Sequence, residues 1–116
     1  MKQLIKLLAT ALTITVSQLV FAGAGEDCHF HGSKPAAKET VLKCADKRVQ
    51  RLIARGKLDA AWKAIPPESI TTVDGEKGKE WKVVIQNPAA SDKTKATLYL
   101  FYSEIGNFIA ANHTGK

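Results

Sequence analysis

Cys28-His29-Phe30-His31-Gly32 places one thiol and two imidazoles within four positions, with Glu26 and Asp27 immediately before them. Thiolate and imidazole are the donors that suit zinc and copper. Side chains alternate along an extended segment, so His29 and His31 would share a face, with Cys28 off that side. A third or fourth ligand would have to come from Cys44 or from His113, the only other histidine. The spacing matches no zinc-finger or rubredoxin pattern. A second reading competes with this one. Cys44 is the only other cysteine, sixteen positions on, and a Cys28–Cys44 disulfide would anchor the segment and leave the histidines as solvent-exposed neighbours. That bond would remove the two soft ligands and leave a two-histidine site that is low in affinity or shared with a partner.

Other chemistries find less support. Thioredoxin-type cysteines stand two residues apart at a helix N-terminus, whereas this pair is widely spaced and Cys44 falls inside a predicted helix. A Cys28 nucleophile would need His29 or His31 to reach its sulfur and a third group to orient the base, and adjacency supplies neither. There is no serine elbow, phosphate loop or paired-carboxylate pattern, so the residues give no enzyme assignment. Trp62, Trp81, Tyr99, Phe101, Tyr102 and Phe108 follow helix or strand periods that point to core packing rather than to a ligand cradle.

The segment sits just after an export signal. Lys2 and Lys6 form a positive start, Leu7 to Phe21 an apolar run, and Val20-Phe21-Ala22 a small-residue cleavage pattern before Gly23. Cleavage after Ala22 would release residues 23–116 to the periplasm, with no membrane insertion afterwards, since the run is short for a span of about 20 residues. The remaining chain reads as a single α+β domain with a flexible arm over 23–33. The net charge of +6 falls to +4 once Lys2 and Lys6 are removed. That is ordinary for solubility and gives no argument for nucleic acid. Disulfides persist in such a compartment. Closing the 17-residue loop would stabilise the domain by about 3 kcal/mol.

The elements that must position the motif follow. Ser33 and Pro35 mark a helix entrance. From about Ala36 to Arg55, Val41, Leu42, Ala45, Val49, Leu52 and Ile53 form an apolar stripe, with Lys43, Lys47, Arg51 and Arg55 opposite and Gly56 as a stop. The basic run reads as a solvated face that could also dock an acidic partner. Asp59 starts a short helical segment carrying Trp62 and Ile65 inward, ended by Pro66-Pro67. Strands are expected at Ser69–Val73, Glu80–Gln86, Ala96–Tyr102 and Phe108–Asn112. The first two are joined by a polar turn from Asp74 to Lys79, and Ala96–Tyr102 is central because both its faces are apolar. The fold is therefore α+β, with N-terminal helices packed on a four-stranded antiparallel sheet, cystatin-like or PepSY-like in outline. The last strand delivers Asn112 and His113 to one rim of that sheet, where His113 either joins His29 and His31 or frays with the terminus.

Cys28-His29-Phe30-His31-Gly32, Gly56-Lys57-Leu58-Asp59 with Trp62, Glu80-Trp81-Lys82-Val83, Asn87-Pro88 and Gly106-Asn107-Phe108-Ile109-Ala110-Ala111-Asn112 together resemble a family of small uncharacterised exported proteins of proteobacteria, over nearly all of residues 26–116. The resemblance brings no catalytic residues with it, and its histidine-bearing motif suggests metal handling. Two functions are carried forward. One is a periplasmic accessory protein of metal homeostasis, binding copper or zinc through His29 and His31, with Cys28 and His113 as further ligands. The other is a non-enzymatic protein-interaction or inhibitor-like module with a periplasmic protein partner and a purely structural disulfide.

Overall fold

A computed structural model describes residues 28–116. The expected export segment 1–22, its expected cleavage position and the lead 23–27 lie outside the described residues. One long helix, α1 (Lys38–Ala54), precedes a short 3-10 turn (Ala60–Ala64) and four strands: β1 (Ser69–Gly75), β2 (Gly78–Gln86), β3 (Thr97–Ser103) and β4 (Phe108–Asn112). The strands form an antiparallel sheet in the order β1-β2-β3-β4. This is the α+β arrangement expected from the sequence.

The apolar periods decide which faces meet. Val41, Ala45 and Val49 of α1 are buried against Val83 and Ile85 of β2 and Leu98, Leu100 and Tyr102 of β3, with Trp62 closing one end. Leu42, Leu52 and Ile53 lie half-buried at the edges of the same stripe. Lys43, Lys47 and Arg55 are exposed and Arg51 is half-buried. Arg48 leaves the charged side and places its guanidinium 3.7 Å from the centre of the Phe108 ring, a cation–π contact. β3 is internal, as its two apolar faces require, and Phe101 on the side away from α1 is only 7% exposed. Asn87 breaks β2 by accepting the Ala89 N–H on its side-chain oxygen at 3.0 Å.

Two boundaries differ from expectation. Ser33 does not cap the helix: the N-cap is Ala37, without a side-chain bond. Pro35 disfavours helical backbone at Lys34, and Ala36 donates its N–H to the Glu104 carbonyl at 2.9 Å, so the chain stays extended to Ala37. The hairpin turn is also tighter than the polar run suggests. Asp74 pairs with Lys79 and Gly75 with Gly78, leaving Glu76-Lys77 as the turn. At the other end of α1, Gly56 follows the cap residue with φ +75°, a conformation in which only glycine is free of a Cβ penalty.

Candidate functional site

The motif segment lies against the start of α1 and the β3–β4 turn. Cys28 is joined to Cys44 by a disulfide with the Cα atoms 5.8 Å apart, well inside the bridging limit of about 7 Å. Cys44 is 4% exposed on the flank of the apolar stripe, so the bond ties the arm to the edge of the core. The disulfide reading of this pair therefore holds, and the two sulfurs are not available as thiolate ligands while the bond is formed.

The backbone of Phe30 is held at a second point. Asn107 accepts the Phe30 N–H on Oδ1 at 2.7 Å and donates from Nδ2 to the Phe30 carbonyl at 3.0 Å. One side-chain amide thus satisfies both polar groups of one residue, as a neighbouring strand would. Asn107 is itself set by the turn: its N–H donates to Ser103 Oγ at 3.0 Å, and its carbonyl accepts the Ser103 N–H at 2.7 Å. A third tie is the Glu104 carbonyl, which accepts from Ala36 N–H at 2.9 Å and from Trp81 Nε1 at 3.3 Å. Phe30 is half-buried and packs on the core. The turn makes room for it with Gly106, whose φ is +105° and where a Cβ would stand 3.1 Å from the Phe30 ring and 3.2 Å from the Ala36 Cβ. Glycine is required there twice, by backbone and by space.

With Phe30 directed inward, alternation directs its neighbours outward. His29 and His31 are both exposed, with ring centres 4.7 Å apart in an edge-to-face arrangement at 80°. A shallow groove lined by Phe30, His31, Lys34, Pro35, Thr40 and Ile105 runs alongside.

His113 lies elsewhere. Its Nδ1 is 2.8 Å from the Thr97 carbonyl; a carbonyl can only accept, so the ring carries a proton on Nδ1. The ring also sits 6.3 Å from that of Trp62. Thr97 is the first residue of β3, and the arm is tied at the turn after the last. At about 3.3 Å per residue the two ends are roughly 20 Å apart, so His113 stands apart from His29 and His31. Among the described residues, no group of three or more His, Cys, Asp and Glu side chains is placed to hold a metal ion. Asn112 accepts the Thr114 and Gly115 N–H groups at 3.1 and 2.8 Å, which folds the tail back at the sheet rim.

Sequence reasoning finds the cysteine pair and the shared face of the histidines. It misses Asn107 as a clamp, because that role depends on which residue the turn meets in space. It also misses Arg48, a basic residue of the helix drawn to an aromatic ring. Among the described residues no helix is long and apolar enough to cross a membrane. No curated protein and no solved structure matches the chain. The family model matches residues 1–116 throughout, and the chain belongs to the family of unknown function DUF6488.

Proposed function

We propose that the chain is an exported, non-enzymatic interaction module acting in the periplasm, with the N-terminal arm as its contact surface and the Cys28–Cys44 bond as a structural anchor. The carrying observation is the division of labour in the arm. Cys28, the Phe30 side chain and the Phe30 peptide groups are all spent on attachment, while His29 and His31 stand exposed. A prefixed backbone supports this reading because a partner would not have to order the segment on binding, and that ordering costs about 1–2 kcal/mol per residue. The groove beside His31 offers an apolar floor from Phe30, Pro35 and Ile105, with Lys34 at its rim.

Site-specific photo-crosslinking in the exporting cell tests this. A crosslinker placed at His29 or His31 is expected to trap a discrete protein partner, and one placed at Lys93, in the loop before β3, is not. Equal trapping at all three positions would sink the arm as the contact. Mass measurement of the exported protein is expected to give a chain beginning at Gly23; retention of residues 1–22 inside the cell would remove the export component of the reading.

A further inference from the structure

The exposed histidine pair has a spacing that an interaction surface does not by itself require. Zn–N and comparable bonds are about 2.0–2.1 Å long, which sets each ring centre about 3.2 Å from a shared ion. Two such rings then stand about 4.5 Å apart for a right-angled pair of bonds and about 5.2 Å for a tetrahedral pair. The observed separation of His29 and His31 is 4.7 Å. Both rings hang from backbone fixed on either side of Phe30 by the disulfide and by the Asn107 clamp, so their ring centres are held at a separation that a shared ion fits.

We propose that His29 and His31 form a two-imidazole site for a divalent late transition-metal ion, with copper(II) held most tightly. Imidazole nitrogen is a preferred donor for copper and zinc, and copper leads the divalent series at such ligands. No carboxylate, sulfur or third histidine completes the set among the described residues, so the remaining coordination positions are left to groups other than the described side chains. Such a site exchanges its ion readily rather than storing it. The site goes beyond the interaction reading and does not depend on it, because it needs only the protein and the ion.

The test uses untagged, oxidised full-length protein titrated with copper(II) and with zinc(II), followed by native mass spectrometry and electron paramagnetic resonance. The expected result is one copper(II) per chain with nitrogen hyperfine structure from imidazole, and weaker zinc binding. His29→Ala and His31→Ala are each expected to lower copper affinity by at least about tenfold, while His113→Ala leaves it unchanged. Because both target side chains are exposed, thermal melting of the variants is expected to match the parent, which keeps a folding defect from imitating loss of the site. Absence of a bound ion overturns the proposal. So does copper binding that survives His29→Ala/His31→Ala, or a loss on His113→Ala as large as those at the pair. A partner trapped at the arm without any metal binding would leave the interaction reading standing and this one overturned.

Discussion

The two ends of β3 use histidine in opposite ways. At the Thr97 end, His113 is half-buried, donates to a backbone carbonyl and lies beside Trp62; its polar capacity goes into closing the sheet. At the Ser103 end, His29 and His31 ride on a segment whose attachment is made entirely by other groups: a disulfide, an asparagine amide and a backbone carbonyl. Both rings are therefore free to meet something else. The difference teaches that a histidine's role follows from whether its neighbourhood needs it for satisfaction, and residue type alone cannot say which.

The largest test of this contrast removes the anchor. Cys28→Ala/Cys44→Ala is expected to lower stability by about 3 kcal/mol and to expose the arm to limited proteolysis, while protection around Thr97 and His113 persists in the surviving folded state. Cys28 has φ +44°, a left-handed backbone costing an L-residue roughly 1–2 kcal/mol, so the start of the arm relaxes once the bond no longer holds it. An unchanged melting curve would break the comparison, since the arm would then be held without its staple.

A finer pair of changes comes next. Asn107→Ala removes two hydrogen bonds to the Phe30 backbone and is expected to cost about 2 kcal/mol, at about 1 kcal/mol per bond. Hydrogen exchange at the Phe30 amide would quicken markedly. His113→Ala removes one bond and is expected to cost about 1 kcal/mol, with exchange at Phe30 unaltered. If Phe30 exchange responded to both, the two ends would be one cooperative unit rather than two separate devices.

The smallest effect concerns Tyr102, which lies at the arm end beneath Phe108, with its ring centre 5.7 Å from that of Phe108. Its buried hydroxyl makes no hydrogen bond of strict geometry, and burial pushes its pKa above the usual 10.0, an effect partly opposed by the charge of Arg48 and by the approach of its guanidinium to the hydroxyl. Below the unfolded value the phenol is neutral in both states. Above it, only the unfolded chain ionises freely, so stability falls as pH rises past about 10. Tyr102→Phe is expected to change neutral-pH stability by less than about 1 kcal/mol, because the hydroxyl makes no hydrogen bond of strict geometry. It should also shrink the alkaline loss seen in denaturant titrations at successive pH values. A large destabilisation at pH 7 would reveal a hydrogen bond to Arg48.

Much of this architecture is legible along the chain because period-two and period-3.6 patterns report burial directly. Val83, Ile85, Leu98 and Leu100 declare the inner face of the sheet, and Val41, Ala45 and Val49 the facing stripe of α1. The disulfide is legible because two cysteines allow one pairing. Where residues must meet across long separations, local pattern carries nothing. The Asn107–Phe30 clamp spans 77 positions, and Asn107 in isolation reads only as a turn former. The helix start fails for a related reason. Ser33 is a good cap by type, but the Ala36 N–H is claimed by the Glu104 carbonyl from the far end of the chain, and that tertiary bond outweighs the local preference.

The Asn107 clamp has one more consequence. Its amide bonds to the peptide groups of Phe30, which every residue except proline carries alike. The device that seats the arm is thus blind to the side chains on either side, and substitutions at positions 29 and 31 leave the seating intact. The protein keeps its holder and its payload separate, so the face it presents can be rewritten over evolutionary time without rebuilding the mount.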